Sequence, residues 1–518
     1  METLPPRRLA LAAILLASCL VHLKGITAPT RDFHSHRQSN TISIARNYHE
    51  NGLRFSCPQI DWEGDDQGCA ATEFPLYMWL VGLFWSLAGL GEIWGRVLAA
   101  AFSALTAVYL FRFLERRLGF EPAFYSGVLF SFIPLEVYFG RSVQPEALAL
   151  LATIGALFHW DRSLDEGRPW GHWLAAAAWT VVAVGSKLPY AYILGVLLVL
   201  SWERLGRKAL WDWRGFGAAG LACGLVWAWY KHASTGAYVV PTSSRDFLAL
   251  LDYQGMPLYL KRQFLSRFPE LAATYGGLAL MALGAREWCR SGSGLLLPLW
   301  WLAVAVHLAL GGYYTFQHEY TSLPFAPVNA AFMGLGLAFL RLKTEMLTGT
   351  AKAWARAGIC LLVLSVPLHA AFRIKHWYKL DFPFLAAAEQ AADSVSGRED
   401  LFFCNSWGPS VYLYFLNRRG WAWSVSMAGE GRINEVEDRI QRGAKFYMTD
   451  KNQEYLDPGN FFHKYFYSRY PVVYDKDGML IFRVTPGAKP GPLPIPNGSG
   501  TPAPATAGAG SDAVKARQ

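Results

Sequence analysis

The sequence predicts an α-helical polytopic membrane protein with a small C-terminal α/β domain. Three observations predict it. Of 518 residues, 53% are hydrophobic and only 17% charged, with 21 Trp and 32 Phe. Apolar runs, many near the roughly 20 residues needed to cross a bilayer core, recur from residue 9 to about residue 373. Beyond residue 380 the pattern changes to short β-like runs mixed with helical ones. The net charge of +9 does not imply nucleic acid, because excess Lys and Arg in such a protein collects in cytoplasmic loops.

The first run, LALAAILLASCLVHL (residues 9–23), follows Arg7 and Arg8 and has no convincing small-residue cleavage site after it. It reads as a retained first helix, about 8–26, leading from inside to an outer segment at 27–92. Ten further spans are expected near 93–111, 121–136, 146–160, 171–185, 190–202, 215–231, 270–285, 295–312, 321–340 and 357–373, about 11 in all. Every inner loop of this threading carries Arg or Lys, as in RFLERR (112–117) and ERLGRKALWDWR (203–214). The outer stretch 232–269 is basic too, with Arg245, Lys261, Arg262 and Arg267. Residues 74–90, FPLYMWLVGLFWSLAGL, are read as lying in the membrane interface, since a crossing there inverts every later loop. Residues 39–52 read as a short amphipathic helix, capped by Ser39, with Ile42, Ala45 and Tyr48 on one face and Gly52 as its stop.

The membrane domain is expected over 1–375, the extracytoplasmic α/β domain over 376–485 and a disordered Pro/Gly/Ala-rich tail over 486–518, whose Asn497 sequon reads as chance. In the α/β domain, LFFCN (401–405) and AKFYMTD (444–450) read as buried strands, and PVVYDKDGMLIFRV (471–484) as a hairpin turning at Asp477-Gly478. INEVEDRIQRG (433–443) reads as a helix ending at glycine.

The threading puts the unusual polar groups on one side. They are Asp32, His34, His36, Arg37 and Gln38, then Glu73, Arg141, Glu146, Lys187, and the run Gln317, His318, Glu319 and Tyr320. Ionisable groups at helix ends facing a cavity are functional candidates, because burial in lipid is costly. Each has a plainer reading as well. Lys187 snorkels to the interface, Glu146 complements a helix dipole after Pro145, and His318 and Tyr320 are ordinary interface residues. Convergence on one side favours the functional reading. DWEGDDQG (61–68) lacks calcium-loop spacing and reads as a solvated acidic turn. Cys57 and Cys69 form a loop-closing disulfide if their segment faces an oxidising compartment, and otherwise two thiols.

The motifs RDFHSHRQSNTISIARNYHENG (31–52), TEFPLYMWLVGLF (72–84), GRSVQPEALA (140–149), SKLPY (186–190) and HEYTSLPFAP (318–327), in that order, resemble the bacterial branch of glycosyltransferase family 39. That branch of the GT-C superfamily includes protein O-mannosyltransferase-like and lipid A aminoarabinose transferase-like enzymes. The resemblance covers roughly residues 8–373. It implies transfer of a sugar from a polyprenyl-phosphate donor to a lipid, glycan or protein acceptor, on the outer side of the inner membrane. Asp32 matches the family's first-loop acid and is the expected general base; Glu146 matches the second-loop acid and assists the base or orients the acceptor. Arg37, Lys187, His318 and Tyr320 are expected to meet the lipid phosphate, with Gln38 and Glu73 also in the substrate site. Glu73 departs from the aminoarabinose branch, which has a lysine there, and is left to bind a sugar hydroxyl or a metal. No cofactor is assigned, though His34 and His36 with Asp32 offer ligands for a divalent metal. Two competing readings are a polysaccharide polymerase or ligase and a lipid-linked sugar transporter. The latter is disfavoured by the lack of an internal repeat.

Overall fold

The computed structural model describes residues 7–62, 64–66, 69–71, 73–89, 91–235, 238–239, 256–311, 315, 317–406, 408–425, 429, 431 and 433–492. Expectations for Arg245, Glu63 and most of the tail, with Asn497, lie outside these residues. The membrane domain opens with α1 (Arg7–His22), α2 (Ser35–Asn51), a two-residue strand β1 (Ala70–Ala71), α3 (Leu76–Ala88) and α4 (Ile93–Leu118). There follow α5 (Phe120–Phe130), α6 (Pro134–Phe139), α7 (Glu146–Ser163), α8 (Trp170–Ser186), α9 (Tyr192–Leu205) and α10 (Trp213–Ala233). Strand β2 (Tyr238–Val239) pairs in parallel with β1. The domain closes with α11 (Met256–Arg262), α12 (Tyr275–Ser291), α13 (Leu296–Leu310), α14 (Phe325–Glu345) and α15 (Gly349–Arg373).

Four helical segments are long and apolar enough to cross a membrane by length and composition: Ile93–Leu118, Leu188–Trp211, Phe325–Glu345 and Gly349–Arg373. Other expected spans coincide with helices that stay below that measure. The expected third span is broken: α5 stops at Phe130, and Pro134, at the first turn of α6, restarts the chain as a new helix. Helix α3 has 13 residues, about 20 Å at 1.5 Å per residue, too short for a hydrocarbon core of about 30 Å.

The helices pack around Phe113, Leu157, Trp160, Trp300 and Met333, all buried. Helices α12 and α14 touch backbone to backbone, where a Cβ on Gly284 or Gly336 meets the facing main chain. At one end, the loops form an ion-pair network: Arg116 bonds Asp161 at 2.7 Å and Asp165 at 2.8 Å, and Arg204 bonds Asp165 at 2.6 Å. The candidate site lies at the other helix ends.

Helix α2 differs from expectation. It begins at Ser35, with His34 in the left-handed region at φ 60° ahead of it, and Gly52 stops it. Its polar face is buried along with its apolar one. The cause is the C-terminal domain, which sits on it: Arg46 donates to the Tyr414 carbonyl at 2.9 Å and to Asp61 at 2.7 Å. Asp61 is therefore no solvated acidic residue; it is 2% exposed and also accepts from Asn47. Cys57 and Cys69 are joined in a disulfide that closes this loop.

The C-terminal domain carries α16 (Ala388–Val395), β3 (Leu401–Asn405), α17 (Pro409–Leu416), β4 (Gly420–Trp423), α18 (Ile433–Gln441) and β5 (Ala444–Asp450). It ends with α19 (Gln453–Leu456), α20 (Phe461–Arg469), β6 (Val472–Lys476) and β7 (Met479–Arg483). The sheet order is β4-β3-β5-β7-β6, with β3 parallel to β4 and β5, and β7 antiparallel to β5 and β6. Alternate residues face two cores: Phe402, Cys404 and Met448 one way, Phe403, Tyr447 and Phe482 the other. The β6–β7 hairpin turns at Asp477 and Gly478, at φ 53° and 80°.

Candidate active site

The chain leaving α1 turns at residues 28–34, and buried arginines hold that turn. Arg96, on α4, donates to the carbonyls of Ala28 at 2.9 Å and Pro29 at 3.0 Å, and to Asp32 Oδ1 at 3.0 Å. Arg141 donates to the Gly25 carbonyl at 3.1 Å and to Asp32 Oδ2 at 2.9 Å. Gln38 donates to Asp32 Oδ1 at 2.6 Å and to the Phe33 carbonyl at 2.9 Å, while its own carbonyl accepts from the Val143 N–H at 3.1 Å.

Two of the expected site residues lie within these contacts. Asp32 is 1% exposed and both its oxygens are occupied. Arg96 and Arg141 each bond one of these oxygens, which ties Asp32 to the turn. Gln38 is fully buried, and its amide is bonded to Asp32, the Phe33 carbonyl and the Val143 N–H. Arg96 is the residue that sequence reasoning missed. An arginine within the apolar run IWGRVLAA was signal enough, since a charge inside a membrane helix needs a partner.

Above this anchor lies a second, less buried group. Glu73 pairs with Arg37, and the Lys187 ammonium lies 3.6 Å from the same carboxylate oxygen. Burial raises the Glu73 carboxyl, but the charges of Arg37 and Lys187 outweigh it and hold the group below its ordinary range. Lys187 Nζ is also 3.0 Å from Glu146 Oε1, off the hydrogen-bond axis, so neither Glu146 oxygen accepts a hydrogen bond. Lys187 does not snorkel: its side chain is 11% exposed and set between two carboxylates.

The third group comes from the turn between α13 and α14. His34 Nε2 meets Glu319 at 3.0 Å, and Arg267 donates to the other Glu319 oxygen at 2.8 Å. Burial opposes ionisation of Glu319, yet the His34 hydrogen bond and the Arg267 charge bring its carboxyl down to about 2. His318 stacks on Tyr320 with ring centroids 5.1 Å apart, and burial pushes its imidazole down to about 3. Tyr320 joins the two groups, lying 5.2 Å from the His34 ring and 5.6 Å from the Lys187 ammonium. His36 turns away to the C-terminal domain, where its Nδ1 lies 3.0 Å from the Ser410 hydroxyl. Gln317 is exposed at the edge.

Arg37, Glu73, Glu146, Lys187, His318 and Tyr320 thus assemble from five separate chain segments. Asp32, His34 and His36 face different partners, and among the described residues no group of three or more His, Cys, Asp or Glu is arranged to hold a metal. A largely apolar cavity of about 350 Å³ is lined by Ser56, Phe74, Val181, Gly185, Trp229 and His232 among others, Phe74 being next in sequence to Glu73.

Residues 72–229 match the family of dolichyl-phosphate-mannose-protein mannosyltransferases. No curated protein matches the chain in sequence. Among solved structures, ArnT from Cupriavidus metallidurans bound to undecaprenyl phosphate is similar, with TM-score 0.59 and 14% identity over 92% of this chain and 97% of that one. The Archaeoglobus fulgidus oligosaccharyltransferase with Zn and sulfate aligns with TM-score 0.58 and 10% identity over 92% of this chain and 73% of that one. The mycobacterial arabinofuranosyltransferase AftD aligns with TM-score 0.55 and 12% identity over 93% of this chain and 40% of that one. Along nearly its whole length the chain shares the fold of these solved structures, and residues 72–229 carry the match to the mannosyltransferase family.

Proposed function

We propose that the protein transfers a sugar from a polyprenyl-phosphate donor to a hydroxyl-bearing acceptor, on the extracytoplasmic side of the inner membrane. The carrying observation is the chain of charges Arg37–Glu73–Lys187–Glu146, in a molecule whose apolar cavity includes Phe74, next in sequence to Glu73. Clustered cations suit a phosphate, and an apolar cavity suits an isoprenoid chain. The cavity's volume also falls in the range of small-molecule sites, about 300–1,000 Å³. Support comes from two similar proteins, one bound to undecaprenyl phosphate and one to dolichol phosphate.

In the reaction the acceptor oxygen bonds to the anomeric carbon, the bond from that carbon to the phosphate oxygen breaks, and the acceptor proton must leave. Lys187 and Arg37 stabilise the charge that develops on the departing lipid phosphate. The neutral imidazole of His318 and the hydroxyl of Tyr320 add donors on the opposite wall. Glu146 takes the proton. Its oxygens accept no hydrogen bond, whereas those of Asp32 accept three. Glu73 holds Arg37 and Lys187 apart and in place.

The orientation rests on two features. The Cys57–Cys69 disulfide lies between Arg37 and Glu73 in the chain, on the segment joining α2 to α3, and disulfides persist in oxidising compartments. The arginine-rich network is at the other end, as the positive-inside rule asks. Purified protein in nanodiscs, given polyprenyl-phosphate mannose and a hydroxyl acceptor, is expected to release polyprenyl phosphate. Glu146→Gln is expected to slow that release by about 10²–10⁴ while bare polyprenyl phosphate still binds. Full turnover in Glu146→Gln removes Glu146 from the base role. For the orientation, an impermeant thiol reagent should label Arg54→Cys in intact cells and Arg207→Cys only after lysis; the reverse pattern refutes it.

A further inference from the structure

His34 occupies a position where glycine fits better. Its backbone lies in the left-handed region, at φ 60° and ψ 36°. Glycine adopts that conformation at no steric cost, whereas a residue with a Cβ loses about 1–2 kcal/mol there. The turn itself uses only main chain at this point, since the His34 carbonyl accepts from the Gln38 N–H at 3.1 Å. The ring, not the backbone, accounts for a histidine here. Strain of this kind collects at functional sites.

Two further residues orient that ring. Its Nε2 donates to Glu319 Oε2 at 3.0 Å. Arg267, buried, donates to Glu319 Oε1 at 2.8 Å and to the Thr315 carbonyl at 3.2 Å, so the carboxylate is held from behind. A carboxylate bonded to one imidazole nitrogen fixes which nitrogen acts and stabilises the imidazolium. Here Nδ1 is the acting end, and it bonds no described residue. The ring also borders the cations of the site. Tyr320 lies 5.2 Å from His34 and 5.6 Å from the Lys187 ammonium. Lys187 is 3.6 Å from Glu73, which pairs with Arg37, three residues after His34. These contacts form a closed circuit through His34, Tyr320, Lys187, Glu73 and Arg37.

We propose that His34 is a general acid, which passes a proton from Nδ1 to the departing lipid phosphate, and that Glu319 and Arg267 are its positioning residues. The proposal rests on the lipid-linked transfer reading above and adds an acid to its base. When the bond from the anomeric carbon to the phosphate oxygen breaks, the electron pair goes to that oxygen. The phosphate changes from a singly charged diester to a doubly charged monoester, and the His34 proton neutralises the added charge. Imidazolium and phosphate monoester release protons near about 6.5 and about 6, so this exchange is nearly even in free energy. The acceptor proton goes to Glu146. A proton returned from Glu146 to His34 through water resets both groups.

Chemical rescue in full-length protein in nanodiscs, given polyprenyl-phosphate mannose and a hydroxyl acceptor, tests this. His34→Gly relieves the backbone and removes the acid; transfer is expected to slow by about 10²–10⁴. Added imidazole is expected to restore about tenfold or more of the lost rate, and thiazole, of the same shape but without an N–H, none of it. His34→Gln keeps a donor for Glu319 but no transferable proton, so it should be as slow as His34→Gly, and it carries the test if His34→Gly misfolds. Glu319→Gln should lower kcat by about tenfold with KM kept within about threefold. The acid role is overturned if either His34 variant transfers at the wild-type rate, or if imidazole restores no more than thiazole does. A Glu319→Gln enzyme changed in KM alone overturns the positioning role. A wild type that releases no polyprenyl phosphate overturns the transfer reading itself, and the acid with it.

Discussion

Asp32 is buried and paired with both Arg96 and Arg141, so replacing its carboxylate leaves two guanidinium groups without compensation. Breaking a buried pair in this way costs about 3–5 kcal/mol. Asp32→Asn is therefore expected to lower the unfolding temperature in detergent as well as activity, while Glu146→Gln keeps its unfolding temperature. A fully stable, inactive Asp32→Asn returns Asp32 to the base role. Acid sensitivity also belongs to single residues. Burial pushes the His318 imidazole down to about 3. An unfolded histidine takes its proton near 6.5. Between about pH 6.5 and 4 the unfolded state thus holds more protons, and stability falls as pH falls. Glu319, down at about 2, adds its own loss only below about pH 4.5. Unfolding temperature measured across this range should slope downward toward acid, and His318→Gln should flatten the slope between pH 6.5 and 4. An unchanged slope contradicts the burial of His318.

At the scale of elements, the loop over residues 57–69 acts as a clasp between the two domains. The Gly420 N–H donates to the Asp61 carbonyl at 3.0 Å, the Gly64 N–H donates to the Gly420 carbonyl at 2.7 Å, and Arg442 bonds Asp65 at 2.6 Å. The Cys57–Cys69 disulfide closes a loop of sequence separation 12, which is worth about 3 kcal/mol by loop-closure entropy. The double change Cys57→Ser, Cys69→Ser should lower stability by that order and speed protease cleavage between residues 57 and 69. Equal cleavage rates contradict the clasp. Helix positions were legible in the sequence wherever a polar punctuation mark bounds an apolar run, as Gly52 ends α2 and Asp477-Gly478 turns the last hairpin. The break between α5 and α6 was not: FSFIPLEVYF reads as one apolar run, and only Pro134 marks the interruption. The burial of α2's polar face was hidden as well, because it depends on Tyr414, 368 residues away from Arg46.

For the whole molecule, the site is a meeting of loops that the chain separates widely. His34 and Glu319 are 285 residues apart, and Arg37 and Glu73 are 36 apart. Charge placement in the loops was enough to put these residues on one side, so Arg37, Glu73, Glu146, Lys187, His318 and Tyr320 were readable as a set. Which of them touch was not, because burial and pairing depend on packing that no local pattern records. That is why Asp32, equally acidic in sequence, is bonded by Arg96, Arg141 and Gln38 while Glu146 faces Lys187. The central claim concerns the ligand that this set receives, and a structure of the protein with bound polyprenyl phosphate tests it most directly. The account predicts the phosphate within about 3 Å of the Lys187 and Arg37 nitrogens, with the isoprenoid chain in the groove lined by Phe74 and Trp229. A phosphate bound instead among the arginines of the opposite end, such as Arg116 and Arg204, contradicts it.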